Sequence, residues 1–596
     1  MPGITGIIGK GIRGSYREIL NEMVGCMMHE STYRTGSYVN EEMGVYVGWT
    51  CHPNSYSDGM PVLNEERNIA LIFAGEQFGE WPGQRTHTAA DVMRRYATEG
   101  PKGLREFNGW FAGLLIDVRN STVLLFNDRY GMHRIYYHED KEWFLFGSEA
   151  KSLLRAKSDL RRMDMRSLGE LINCSCVLER RTLFSGVSLL PGGAIWAWDH
   201  GSGPVRSVYF DLSEWENLPV LDEDTFYSKL KDTALSIMPR YFREKSQVAI
   251  SLTGGLDSRM IMACLNPTPG ELPCYTFGGP YDVRDITIAR QVAKLYGQSY
   301  EVVRLGDEFF TQFPRLAEKT IRVSDGNLDV CSTHDMYFNE IAKHIAPIRV
   351  TGKFGSEVVR DHTMFNVRDY QGELFADGLK PHLREAITTF REVKNGHPLS
   401  VALFKDFPWR EYNKIALEQS QMVFRSPYMD NDLAELMYQA PAGLRSTNWP
   451  QRRIIKECNE ELGRLLSDMG FGEGRNPVIA SLLEFYYYTM FKLDYRYVFA
   501  LPHWLTKIDT FVMSLNGERP ILGAQKFEHY RIWFRRELAG YLKEILLDPR
   551  TGSRSYIDRR YLESIVTAHT NGTHNYMSEI NLAMSLELIH RHLLDS

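Results

Sequence analysis

Residues 248–258 read Val-Ala-Ile-Ser-Leu-Thr-Gly-Gly-Leu-Asp-Ser, an apolar run that breaks at two adjacent glycines and resumes with an acid and a hydroxyl. Val248 to Leu252 predicts a strand buried on both faces, which suits a parallel sheet covered by helices on either side. Leu256, Met260, Ile261, Cys264 and Leu265 then recur at helical spacing, so Thr253-Gly254-Gly255 is a strand-to-helix turn. A helix N-terminus presents unpaired N–H groups and a partial positive charge. Glycine lets the backbone approach an anion, and the Thr253 and Ser258 hydroxyls add donors, so the turn suits a phosphate or pyrophosphate. The pattern is not the Walker loop, because no lysine follows the glycines. The Asp257 carboxylate would repel phosphate unless Mg²⁺ lay between them, which makes Asp257 the leading metal-ligand candidate.

A tight turn with an acid at the start of a helix is the plain alternative, but two further segments repeat the pattern. Pro273 to Phe277 predicts a strand ending at Gly278-Gly279, followed by a helix marked by Ile286, Ala289, Val292, Ala293 and Tyr296 and closed by Gly297. Ile348 to Val350 predicts a third, ending at Thr351-Gly352. Three strands with glycine turns at one edge of a parallel sheet define a nucleotide crevice.

Across the 596 residues, 43% apolar and 24% charged content is that of an ordinary folded chain of two to four domains. A formal charge of −6 gives no electrostatic reason to expect nucleic acid or an anionic membrane as partner. No apolar run approaches bilayer length and no signal-peptide block opens the chain, which reads as cytoplasmic. The eight cysteines have no zinc-type spacing and read as reduced thiols.

Short strand signals crowd the first 200 residues: 44–48, 69–73, 110–117, 123–126, 135–138 and 143–146, with a helix around 90–97. They predict an α+β domain on antiparallel sheets over 1–199. Residues 200–225, rich in Gly, Pro and acids, read as a linker, and 226–596 as alternating strands and helices that pass into a helical C-terminal part. The last helix shows one apolar face in Leu582, Leu586, Ile589 and Leu593. Glu340, His344 and His334 read as a solvated helix face rather than a metal site, and the aromatic stretch from Phe485 to Phe499 as helical core packing.

Thr253 to Ser258 resembles the SGGxDS loop of ATP pyrophosphatases, and its surroundings resemble the synthetase domain of the asparagine synthetase family. Further matches follow in family order: Phe107 to Ala112, Asp128-Arg129-Tyr130-Gly131 with Ile135-Tyr136-Tyr137, Gly147 to Lys151, Leu190 to Gly193, and Phe424 to Asp430. The resemblance implies an Ntn-hydrolase-like antiparallel sandwich of the class II glutamine amidotransferase kind, followed by an α/β ATP-pyrophosphatase domain. It implies ATP and Mg²⁺ as cofactors, with pyrophosphate on Thr253, Gly254, Gly255, Asp257 and Ser258, adenine near Leu252 and Phe277, and ribose near Thr351-Gly352. The activity implied is AMP-forming amide synthesis from a small-molecule or peptide carboxylate and an amine or ammonia. Asp257 and Glu357 would hold the metal and Lys492 would be the catalytic lysine. A homodimer is among the states it leaves open. Asp128 in its turn reads as structural.

Two departures stand out. The family has SGxGxDE where this chain reads Thr351-Gly352-Lys353-Phe354-Gly355-Ser356-Glu357, so Ser356 replaces an acid. Glutamine-using relatives begin Met-Cys-Gly-Ile, and removal of the methionine frees a cysteine nucleophile whose own amine is the base. This chain begins Met1-Pro2-Gly3-Ile4. The oxyanion motif NGE reads Ala74-Gly75-Glu76, the glutamine-binding Ser-Asp reads Thr88-Ala89, and the carboxylate-clamping arginine aligns near Trp49. Losing one oxyanion donor costs ~10²–10³ in rate, so these changes imply a chain without its own glutaminase, similar in this to β-lactam synthetases and lasso-peptide cyclases.

Overall fold

Alternation along Gly3–Gly9 shows how the first half is layered. Ile4 and Ile8 join the core between two sheets, while Ile7 turns to the opposite face to pack with Tyr16 and Leu20 of the helix Tyr16–Cys26. The period of two is what a strand with both faces covered requires. A computed structural model describes the chain except residues 1, 10–14, 80–87, 200–202, 244–245, 371, 474–475, 500, 503–505, 507–525 and 596.

The N-terminal part holds two six-stranded sheets, all of whose strand pairs are antiparallel. One runs in the order Ser188–Leu189, Tyr136–Glu139, Trp143–Gly147, Gly3–Gly9, Val45–Cys51, Arg34–Asn40. The other runs Val205–Val208, Ala194–Asp199, Thr122–Asn127, Phe111–Asp117, Ile69–Gly75, Val62–Leu63. Val47, Ile72, Phe73, Leu114 and Phe126 belong to one apolar core, with Ile72 and Leu114 on one face of the second sheet and Phe73 and Phe126 on the other. Val205–Val208 pairs with Ala194–Ala197, so the sheet runs past residue 199 into the segment expected to be a linker, which also carries the short helix Ser213–Glu216. A four-residue strand, Val-Arg-Ser-Val, exposed throughout and without apolar alternation, gave little sign of itself in the sequence.

The later part holds a five-stranded parallel sheet in the order Tyr300–Arg304, Cys274–Gly278, Val248–Ser251, Ile348–Thr351, Val423–Arg425. Every residue of Val248–Ser251 is buried, with Ala249 in one core and Ile250 in the other, as a central strand between two helical layers demands. The whole is a two-domain α/β arrangement with helices from Glu308 onward packed around the second sheet.

Two expectations for the helical part are corrected. Met577–Ile589 is buried nearly all round, its Asn581, Ser585 and Glu587 included, because it is a central helix of the C-terminal layer rather than one with a single apolar face. Pro477–Phe499 is the reverse case. Tyr497 and Val498 are buried, but Val478, Leu482, Phe485, Tyr486, Tyr488 and Tyr495 are exposed, Phe485 by 70%, so the aromatic stretch is not core. The helix is contacted along its length by the Arg284 guanidinium, 3.5 Å over the Tyr487 ring, and the Lys526 ammonium, 5.8 Å from the Phe491 ring.

Asp128 is structural, as read. Its carboxylate accepts backbone N–H groups from Tyr130 (3.1 Å), Met132 (3.0 Å), His133 (2.6 Å) and Phe111 (3.3 Å), tying the turn to the neighbouring strand. The two halves are joined by Arg425, at the end of the last parallel strand. Its fork reaches both oxygens of Glu76 at 2.9 and 2.6 Å, and Nη1 donates to Tyr241 O at 2.8 Å. Removing one partner of a buried pair leaves an uncompensated charge at a cost of about 3–5 kcal/mol. Arg425→Met is therefore expected to unfold at clearly lower temperature in scanning calorimetry, with Glu76→Leu/Arg425→Leu recovering much of the loss. A single variant as stable as the parent would show that the fork contributes nothing to domain docking.

Candidate functional site

The Thr253–Ser258 turn leaves the carboxyl end of the middle parallel strand and opens the helix Leu256–Leu265. Thr253 is exposed and Gly255 half-buried. A Cβ added at Gly255 would meet only Thr253 Oγ1, at 3.4 Å, so the space in front of this glycine is open to an incoming group. Within the turn, Thr253 N–H donates to Ser258 Oγ at 3.2 Å and Gly255 N–H to Thr253 Oγ1 at 3.2 Å. The N–H groups of residues 256–258 are the first of the helix and have no acceptor within it. These features fit a polyphosphate.

The Gly254 side of the turn is closed. Its N–H donates to Asp285 Oδ1 at 3.1 Å, its carbonyl accepts from Asp468 N at 3.0 Å, and a Cβ there would lie 2.6 Å from Asp285. Buried Arg259 clamps the same segment, donating to Leu465 O at 2.7 Å and to Gly254 O at 3.3 Å. Burial first, then the neighbouring Asp468, raise the Asp285 carboxyl to about 6. Burial raises Asp468 as well.

Thr351–Gly352 is brought against the turn: a Cβ on Gly352 would sit 2.5 Å from Ser258 N. Leu252 N–H is spent on Tyr275 O at 2.8 Å, and its carbonyl accepts from Thr276 Oγ1 at 2.8 Å. The Phe277 ring stacks on Phe338 at 4.7 Å beneath the Arg349 guanidinium.

Asp257 is surrounded by donors. Arg360 Nη2 donates to both its oxygens at 3.2 Å, Ser356 Oγ to Oδ2 at 3.0 Å and Gln451 Nε2 to Oδ1 at 2.8 Å. A divalent cation needs oxygen lone pairs directed at it, and a guanidinium on the same carboxylate repels it. As arranged, these residues do not fit Mg²⁺ at Asp257. Glu357 is raised to about 7, by burial first and then by Glu411, Asp257 and Asp406. Lys492 is exposed, its ammonium 5.4 Å from the Tyr488 ring, and the described contacts do not bring it to the turn. Glu340 is ion-paired with Arg315 and Lys319 at 2.7 and 2.6 Å, and no group of three metal-binding side chains occurs among the described residues.

The N-terminal positions separate into two groups. Trp49, Ala74 and Ala89 are buried in the sandwich core. Pro2 lines a cavity of about 60 Å³ between the two halves, with Gly75, Glu76, His133, Trp110, Gln419 and Phe424 among its walls. The His133 ring is buried with neither nitrogen hydrogen-bonded, and burial lowers it to about 3. The cavity wall touches a loop of the parallel-sheet half: Trp110 stacks on Phe424 and meets Phe354 edge-on, and Ser426 Oγ donates to Lys353 O at 2.6 Å.

Residues 1–209 match the glutamine amidotransferase domain family. The chain is 21% identical to asparagine synthetase 1 of Bacillus subtilis over 425 residues, 67% of this chain and 65% of that protein. It is 22% identical to asparagine synthetase 3 of the same organism, over 52% of this chain and 51% of that one. It is also 23% identical to the amidase chyE of Penicillium rubens, over 43% and 41%. The first two relatives are asparagine synthetases, to which this chain is similar at low identity. The chain spans under two thirds of the length of each of these three relatives. A solved glutamine phosphoribosylpyrophosphate amidotransferase from B. subtilis aligns over 67% of this chain and 96% of its own at 11% identity and a TM-score of 0.28, too low to bear on the fold. No helix among the described residues is long and apolar enough to cross a membrane.

Sequence reasoning did not single out Arg360, Gln451, Asp285 or Asp468. Arg360 had a readable signal, four residues after Ser356 and so on the same face of a helix. Asp285 had one too, at the start of the helix that follows Gly278-Gly279. Gln451 and Asp468 come from distant segments and carry none.

The raised Asp285 gives a pH prediction. Its folded pKa of about 6 lies above the ordinary 3.8, so the folded state holds its proton longer. The group's contribution to stability falls as pH rises from about 4 through 6, and the cost is complete above that. Asp285→Asn keeps the acceptor for Gly254 N–H and removes the buried charge. Melting temperature should rise at pH 8, by on the order of 1–3 kcal/mol of stability, and change little at pH 4.5. An equal shift at both values would rule out this origin.

Proposed function

We propose that the chain is an ATP-dependent, AMP-forming amide ligase of the asparagine synthetase type, which joins a carboxylate to ammonia or an amine without hydrolysing glutamine itself. The observation that carries the reading is the open Gly255 turn at the carboxyl edge of the middle parallel strand, where a helix N-terminus and two hydroxyls converge. ATP bound there supplies the leaving group. A substrate carboxylate oxygen attacks the α-phosphorus as the bond to the β-phosphate breaks. The amine nitrogen then attacks the acyl carbon, AMP leaves with the electron pair, and the nitrogen's proton passes to solvent.

This chain's residues bind and orient. The N–H groups of 256–258 and the Thr253 and Ser258 hydroxyls hold the departing phosphates, and Thr351-Gly352 fixes the opposite wall. No step is assigned to Mg²⁺, Glu357 or Lys492. The partners in this reading are a small-molecule or peptide acid and an amine. Nitrogen from outside the chain agrees with Pro2 in place of a thiol and with Trp49, Ala74 and Ala89 serving as core.

One observation favours a second reading, a binding protein of the same descent: the carboxylate marked out for catalysis is already engaged by Arg360. Screening candidate acids for ATP–pyrophosphate exchange separates the two. Exchange triggered by one acid is expected for the ligase, and aspartate as that acid would make it an ammonia-using asparagine synthetase. Gly255→Val should lower nucleotide affinity at least tenfold, about 1.4 kcal/mol, with unchanged circular dichroism. Glutamate release from glutamine by the purified chain would refute the nitrogen half of the proposal.

A further inference from the structure

The Asp257 carboxylate is balanced by a cation that the chain itself supplies. Arg360 Nη2 spans both oxygens at 3.2 Å and Nη1 donates to Asn448 Oδ1 at 2.8 Å, while Nε is buried with no partner among the described residues. Arg360 also contacts Ser356 Oγ, one helical turn back on Gly355–Arg360. That short helix is pressed onto the carboxylate: a Cβ on Gly355 would lie 2.6 Å from Asp257 Cγ, so only glycine permits the approach. Ser356 and Gln451 take up further lone pairs of the same carboxylate. Arg360 and Asp257 side chains are 18% and 19% exposed, at the mouth of the turn rather than in the core.

The charge arithmetic changes with this arrangement. An isolated Asp257 would repel an incoming polyphosphate and need a dication between them. Paired with a guanidinium, it is neutral as a unit, and the arginine's fixed planar donors suit phosphate oxygens as well as carboxylates. We propose that Arg360 is the resident counter-cation of the 253–258 turn, seated on Asp257 so that the turn takes up a nucleoside triphosphate as the free anion, without Mg²⁺ bridging it to the protein. The inference rests on the nucleotide reading above and adds to it the form in which the nucleotide binds.

The test is calorimetric titration of the full-length protein with ATP, once in excess Mg²⁺ and once in EDTA. Wild-type affinities should agree within about threefold. Arg360→Gln should lose at least about tenfold in EDTA and regain part of it with Mg²⁺. Ser356→Asp places a second carboxylate beside Asp257; it should make ATP binding depend on Mg²⁺ and bind Mn²⁺ by electron paramagnetic resonance where the parent does not. Wild-type binding seen only with Mg²⁺, or Arg360→Gln unchanged in EDTA, overturns the counter-cation and leaves the nucleotide site standing. Absence of ATP binding in both buffers overturns both. Should Arg360→Gln lose its circular dichroism, Ser356→Asp decides, and its failure to acquire Mg²⁺ dependence overturns the inference.

Discussion

The forked contact between Arg425 and Glu76 is the constraint on which the rest of the molecule depends. Arg425 ends the last strand of the parallel sheet, and Glu76 follows the Ile69–Gly75 strand of the sandwich, so the pair sets one sheet against the other. Arg425 is 3% exposed, and at such burial a charge cannot be left without its partner. Next to it, Asn108 Oδ1 accepts from Asn431 N–H, and Asn431 Nδ2 donates to Phe107 O, both at 3.0 Å. On the far side of the sandwich, Asp325 accepts the N–H groups of Ala150 and Lys151 at 2.7 and 3.2 Å. The two halves therefore share a polar seam whose members lose their hydrogen bonds if the halves part.

That seam gives the N-terminal half a physical role independent of glutamine. Trp110 stacks on Phe424 and touches Phe354, and Ser426 holds Lys353 by its carbonyl. The loop so positioned is the one that carries Gly355, Ser356 and Arg360 to Asp257. Whatever residue 2 does, the sandwich determines where the 353–360 loop of the parallel-sheet half sits. Trp49, Ala74 and Ala89 contribute to its core as packing.

Much of this was legible in the sequence, for identifiable reasons. Val248–Ser251 could be found because a strand buried on both faces must be continuously apolar, and its glycine turn because no other residue type permits that approach. Arg34–Asn40 escaped because it is an edge strand with mixed burial, so nothing forces apolar alternation on Arg-Thr-Gly-Ser-Tyr-Val-Asn. The helix Pro477–Phe499 was misjudged because aromatic density speaks to composition and not to which face finds a partner. Motifs in family order located the right segments, yet Asn108, Lys151 and Arg425 within them prove to be docking residues. A sequence shows that such a side chain is required in that place and leaves open whether the requirement is chemical or architectural.

The site itself was legible only up to its charges. Sequence supplied one acid, Asp257, and one missing acid at Ser356, and from these a metal followed by electrostatic necessity. What it could not supply was the sign of the nearest neighbour, since Arg360 reaches Asp257 through a chain reversal of about a hundred residues. The same holds across the turn, where Asp285 and Asp468 face Gly254 and put negative charge on the side that is closed. The turn is thus asymmetric: carboxylates confine its Gly254 side, while a guanidinium stands at its Asp257 end. Asp257, Asp285, Arg360 and Asp468 come from separate segments, which is why only the folded chain displays the arrangement.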